Sequence, residues 1–211
     1  REARAANWDS APGALSQLGE SAPSCRFGPL TLMYLFKRKE IPMTEHEHNH
    51  NHEMAPLTFA IITCSDTRGM KQDTAGAALE QLIADAGWEC KSHVVVKDEV
   101  PQISAAIVEA CDTIDADIVL TCGGSGLSLR DVTPEATQAV CDRNVPGIAE
   151  AMRAHSLAIT PFAMLSRALC MQRGTHLVVN LPGSEKAARE NWDGIVAALP
   201  HAVKMMAGGG H

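Results

Sequence analysis

The 211-residue chain has no pair of cysteines in C-x-x-C spacing, no apolar run long enough to cross a bilayer, and no excess of basic charge. Each absence removes a class of function. The seven cysteines (Cys25, Cys64, Cys90, Cys111, Cys122, Cys141 and Cys170) are odd in number and mostly set in apolar runs. They read as small buried hydrophobes in a reducing cytoplasm, not as a disulfide framework or a zinc site. The longest apolar run near the start, residues 27–36, is too short for a membrane span and precedes no small-residue cleavage site, so neither a membrane anchor nor a signal peptide is expected. Lys and Arg number 18 against 25 Asp and Glu, a formal net charge of −7, which leaves no basic face for nucleic acid. Phosphate would have to be held by backbone amides and one or two cations. What is present, 45% hydrophobic and 20% charged residues, is the profile of a globular protein with material for one ordinary domain.

Residues 1–54 read differently from the rest. The first 40 are rich in Ala, Ser, Gly and Pro and hold no period of 2 or 3.6. They are expected to form a disordered extension, with the natural start at Met43 and residues 1–42 a translated upstream region. Alternating His46, His48, His50 and His52 offer borderline imidazole ligands for Zn or Ni. No second cluster completes a site, and a solvated polar tail is the expectation.

Residues 55–211 are expected to form one α/β domain: a three-layer, doubly wound, mostly parallel sheet with helices on both faces. Apolar strands are expected at 57–63, 93–96, 117–121 and 176–180. Helical spacing appears at 73–87, after Pro101, from Thr133 with Thr133 as N-cap and Pro134 in the first turn, across 146–156 and 161–171, and again after Ser184, where Pro200 is expected to interrupt the last helix. In such sheets ligands sit beyond the carboxyl ends of the strands. Four polar or glycine-bearing loops leave those ends here, at 64–69, 97–99, 122–131 and 181–184.

The loop Gly123-Gly124-Ser125-Gly126 can turn successive N–H groups toward a phosphate, because glycine tolerates the positive φ such a nest requires. It lacks the Gly-Lys-Ser/Thr of a Walker A loop and the spacing of a dinucleotide fingerprint. From the glycines alone, phosphate binding and a plain tight turn stand equal. Asp98, just past a strand, and Asp131, just ahead of the Thr133 helix start, suit Mg²⁺, with Arg130 free to neutralise a polyphosphate. On these residues alone, the favoured reading is that both carboxylates satisfy nearby loop amides. Ser65, Asp66, Asp73, Ser166 and Arg167 complete the polar candidates, whereas His155, His176 and His201 stand alone among apolar neighbours and receive no role.

The stretch Thr121-Cys122-Gly123-Gly124-Ser125-Gly126, followed by Arg130-Asp131-Val132-Thr133-Pro134-Glu135-Ala136, resembles the signature of Mog/MoaB-type molybdenum-cofactor biosynthesis proteins, a domain that also forms the N-terminal part of gephyrin. Val145-Pro146-Gly147, residues 160–167 and Asn180-Leu181-Pro182-Gly183 extend the resemblance over residues 57–205. It implies a trimer or hexamer that transfers AMP from Mg-ATP to the terminal phosphate of molybdopterin, for handover to a metal-insertion enzyme. It also implies that Asp98 and Asp131 are the catalytic carboxylates, that the glycine loop cradles phosphate, and that Pro182, Gly183 and Ser184 line the pocket. Ser125 replaces the usual threonine of the loop and keeps the hydroxyl. Residues 183–189 look like the MoaB branch, and Arg130-Asp131 like the Mog branch. The alternative within the same fold is a non-catalytic molybdopterin carrier.

Overall fold

The computed structural model describes residues 56–209; the expected extension, Met43 and the histidine tract lie outside them. Six strands form one sheet in the order β2-β1-β3-β6-β5-β4, with β1 Thr58–Cys64, β2 Glu89–Val96, β3 Ile118–Cys122, β4 Arg143–Asn144, β5 Cys170–Arg173 and β6 His176–Leu181. The first four positions in that order are parallel; at the far edge β5 runs opposite to them and pairs antiparallel with both β6 and β4. The expected three-layer class is what the chain adopts.

Both faces of the central strands are covered, so their sequences are continuously apolar and still alternate in destination. Phe59 and Ile61 of β1 point to one core, with Leu79 of α1 (Thr74–Asp85), Met152 of α4 (Pro146–Leu157), Trp192 of α5 (Glu185–Asp193) and Leu199 of α6 (Leu199–Met206). Ala60 and Ile62 point to the other, with Ile103 and Ile107 of α2 (Val100–Asp112) and Ala136 of α3 (Thr133–Val140). Phe59 stacks on Trp88 at 5.4 Å between ring centroids and meets Trp192 at 5.8 Å.

Two expectations at the antiparallel edge need correcting. Residues 161–171 are not one helix: a 3-10 turn at Pro161–Leu165 gives way to extended chain and then β5. The apolar spacing there served a strand, because Cys170 and Met171 pair with Val179 and Val178 of β6. Pro200 does not interrupt a helix either. It lies in the first turn of α6, where its missing N–H costs nothing, and the break falls upstream, between α5 and a 3-10 turn at Val196–Ala198.

The chain leaves β1 for β2 on one side and returns to β3 on the other. The order therefore reverses between β1 and β3, and a crevice opens beyond their carboxyl ends. At the outer edge the β1–β2 ladder shifts register, with Phe59 opposite Cys90 and Ala60 opposite Ser92, so that Lys91 bulges out of it.

Candidate active site

The crevice is a cavity of about 510 Å³. Of the residues expected there, Ser65, Asp98, Gly123, Gly124, Ser125, Gly126, Asp131, Ser166, Pro182 and Gly183 line it. Asp66, Asp73, Arg130, Arg167 and Ser184 do not.

The glycine loop begins where β3 ends, held by the Gly123 N–H donating to the Leu181 carbonyl of β6 (3.0 Å). Gly123 has φ +109°, and a Cβ there would sit 2.5 Å from the Cys64 carbonyl oxygen. Gly124 has φ +62° and packs against Thr133 and Asp98. Every carbonyl of the loop finds a donor. The Thr133 hydroxyl donates to Gly123 (2.9 Å) and the Thr133 N–H to Gly124 (3.0 Å). The Arg167 N–H donates to Ser125 (2.9 Å) and its Nε to Gly126 (2.6 Å). Thr133 is therefore not the N-cap expected from sequence; Val132 holds that place, and the hydroxyl is spent on the loop. The N–H groups of Gly124, Ser125 and Gly126, by contrast, have no partner among the described residues. Tied carbonyls with free amides make a concave set of donors suited to an anion.

Beneath the loop, buried Asn180 donates to the hydroxyls of Thr121 and Thr137, both at 2.9 Å, and the Thr137 hydroxyl donates to the Thr133 carbonyl. This network locks the start of α3 to β3 and β6.

Facing the loop, Asp98 accepts the Asp66 N–H on Oδ2 (3.1 Å), while its Oδ1 is buried without a partner. Burial, with Asp66 and Asp131 as negative neighbours, pushes the Asp98 carboxyl above the usual range. Asp131 lies across the loop, accepting the Ser128 N–H (3.1 Å). No group of three His, Cys, Asp or Glu side chains able to hold a metal occurs among the described residues. An ion held here by Asp98 and Asp131 would complete its shell with water and phosphate oxygens, as Mg²⁺ does. The orphaned Asp98 oxygen fits that role.

The remaining candidates do not line the cavity and have bonds elsewhere. Asp66 pairs with Arg130 at the mouth (2.7 Å), and that guanidinium holds the Asp66 carboxyl below its ordinary range. Asp73 is buried as the N-cap of α1, accepting from Gly76 (2.9 Å) and from the Thr63 hydroxyl, with His93 against it at 2.8 Å. Ser184 caps α5. Arg167 forms an ion pair with Glu135.

Arg68 and Arg153 line the cavity without having been singled out from sequence. Arg68 lay in one of the four converging loops, and its Nη1 donates to the Gly183 carbonyl (2.7 Å). Arg153 had no local signal, because only the packing of α4 brings it in, where it donates to the Ala168 carbonyl (2.9 Å). Cys64 also lines the cavity, but burial pushes its thiol up to about 12. At neutral pH it is no nucleophile.

Comparison with known proteins agrees with this geometry. The family model described as "Probable molybdopterin binding domain" matches residues 60–201. The chain is similar to the molybdopterin adenylyltransferase of Helicobacter pylori, with 34% identity over 159 residues covering 74% of this chain and 90% of that one. It is similar to the molybdenum cofactor biosynthesis protein B of Bacillus cereus, with 38% identity over 149 residues covering 70% and 86%. Among solved structures, the molybdopterin biosynthesis enzyme MoaB of Thermus thermophilus superposes with a TM-score of 0.68 at 42% identity, covering 72% of this chain and 97% of that one.

Proposed function

The chain belongs to the molybdopterin-binding-domain family of molybdenum-cofactor biosynthesis proteins, and from that membership we propose that it is a molybdopterin adenylyltransferase. The terminal phosphate of molybdopterin attacks the α-phosphorus of ATP, a new P–O–P bond forms, and pyrophosphate leaves. The observation that carries the proposal is the glycine loop with every carbonyl tied and three amides free, set opposite the orphaned oxygen of Asp98.

A phosphate nucleophile already bears its charge, so the site needs no strong base. It must align two anions and offset the charge that develops between them. The amides of Gly124, Ser125 and Gly126 hold phosphate oxygens at no cost in reorganisation. Asp98 and Asp131 are the residues that would hold Mg²⁺, which when bound neutralises the polyphosphate. Arg130, parked on Asp66 at the mouth, and Arg68, on the cavity wall, add positive charge near the leaving group. Ser65, Ser166, Pro182 and Gly183 shape the walls around both substrates.

Incubating the full chain with molybdopterin, ATP and Mg²⁺ should release pyrophosphate only when both substrates are present. Tight molybdopterin binding without pyrophosphate would instead mark a carrier. ATP turnover independent of pterin would mark a general nucleotide-binding protein.

On this reading the protein works as a homo-oligomer, a trimer or a hexamer, and hands its product to a metal-insertion enzyme. Support for assembly comes from Leu157, Ile159, Phe162, Met164 and Leu165, which are exposed at the end of α4 and in the following turn. Such a run of large apolar side chains on a lone chain is unusual without a partner. Sedimentation should give three or six times the chain mass, and Phe162→Asp should lower it to one. A parent that sediments as a monomer would sink the assignment. No described helix is long and apolar enough to cross a membrane, and the six described cysteines are free thiols, which suits a cytoplasmic enzyme.

A further inference from the structure

Arg167 bonds to the glycine loop at more points than any other cation described, yet it does not line the cavity. Its Nε donates to the Gly126 carbonyl and its Nη2 to the Asp131 carbonyl, both at 2.6 Å. Its Nη1 pairs with the Glu135 carboxylate in the first turn of α3. That guanidinium holds the Glu135 carboxyl below the usual range. The fork thus joins the glycine turn, where its own N–H also holds Ser125, to the backbone of Asp131.

Besides Arg167, the bridged segment has one long-range side-chain tie, the exposed Arg130–Asp66 pair. Leu127 is 64% exposed and Leu129 is 99% exposed, so neither anchors the loop by packing. Within the loop the hydrogen bonds are local, from the Ser128 N–H to the Asp131 carboxylate and from the Asp131 N–H to the Ser128 carbonyl. The Arg130–Asp66 pair ties the tip of the loop to the segment after β1, but neither it nor the local bonds reach the glycines that carry the free amides. Arg167 does.

Resting on adenylyl transfer at this site, we infer that Arg167 is a positioning residue: oriented by Glu135, it clamps the carbonyls of Gly126 and Asp131 and so fixes the Asp131 carboxylate against the phosphate-binding amides. It touches no substrate and acts through Asp131. Its planar fork is essential, because a lysine ammonium cannot span two carbonyls and a carboxylate in one geometry.

The test uses Arg167→Lys, Arg167→Ala and Glu135→Gln in the full chain, with kcat, the dissociation constants of ATP and molybdopterin, and amide hydrogen exchange as readouts. Arg167→Lys should lose about 10- to 100-fold in kcat, the range seen when a supporting residue behind a catalytic group is changed. Both dissociation constants should stay within about threefold, and amides 124–131 should exchange at least about tenfold faster while β1 and β3 keep their protection. Glu135→Gln, which keeps a neutral acceptor, should fall in the same direction by about threefold. Should Arg167→Ala fail to fold, the lysine variant decides. Weaker substrate binding at unchanged kcat would overturn the inference, since the guanidinium would then be holding phosphate itself. Unchanged exchange in 124–131 would overturn it equally. Exchange is read without turnover, so a parent chain that releases no pyrophosphate would count against adenylyl transfer and leave the positioning result standing.

Discussion

The Asp98→Asn variant is expected to fold, to melt a few degrees above the parent, and to release pyrophosphate at least about 100-fold more slowly. The two effects share one origin. Asp98 keeps an oxygen buried without a partner, among Asp66 and Asp131, so its negative charge is held at a cost to the fold. An amide at the same position still accepts the Asp66 N–H and removes the repulsion. The Asp98 carboxyl sits above its ordinary range when folded, so the native state binds the proton more tightly than the unfolded chain does. The penalty is therefore present at neutral pH and fades as pH falls through that raised value. The gap in Tm, roughly 2–4 °C for about 1 kcal/mol in a chain of this size, should close on acidification. Asp131→Asn should lose turnover to a similar degree without the gain in Tm, because its carboxylate already has the Ser128 N–H as a partner that an amide oxygen can retain. Calorimetry across pH, with pyrophosphate release at one pH, measures both. Parent-like turnover in either variant would remove that carboxylate from the reaction.

Gly123→Ala should be the most damaging single methyl in the site. Its φ of +109° lies where side chains rarely go, and the new Cβ would sit 2.5 Å from the carbonyl oxygen of Cys64. The obstacle is backbone in the middle of the sheet and cannot rotate away. Strain and overpacking together should cost about 2–4 kcal/mol, a fall in Tm on the order of 10 °C, and turnover should be lost with the loop. Gly147→Ala in α4 is the control, since a Cβ there meets nothing within 4 Å. Its Tm should stay level or rise slightly. A melting temperature for Gly123→Ala within about 2 °C of the parent would show that the strand ends relax and that the fit is looser than described.

The central strands β1, β3 and β6 were legible in sequence because each is a short, mostly apolar run ended by a polar or glycine loop. That pattern follows from burial on both faces. The edge strand β2 showed only its last four residues, since Glu89, Lys91 and Ser92 break the apolar run. The pattern failed at the antiparallel edge, where Arg143–Asn144 is too short to show a period and residues 161–171 have helical spacing. The legible clue there was Gly174-Thr175 between Arg173 and His176, a two-residue hairpin turn that favours two strands over a helix. Within the site, Asp98, Asp131 and the glycines could be placed because all follow strand ends. Asp73 lies outside those strand-end loops, at the start of a helix, and its carboxylate is consumed there by Thr63, Gly76 and His93. Nothing local separates a buried cap from a binding carboxylate. Arg153 depends on how α4 docks, and that information is not local either.

The bulge at Lys91 has a consequence for how copies of this protein meet. An edge strand offers unpaired backbone to any neighbour, and long flat edges invite aggregation by strand addition. Here β2 is kinked at Lys91, whose ammonium reaches across to the Asp115 carbonyl at 2.6 Å. The opposite edge, β4, is two residues long. The bulge interrupts one rim at Lys91, and the other rim is too short to offer a ladder. Rims of this kind disfavour runaway sheet growth, and a concentrated preparation should stay in solution without fibrous aggregates.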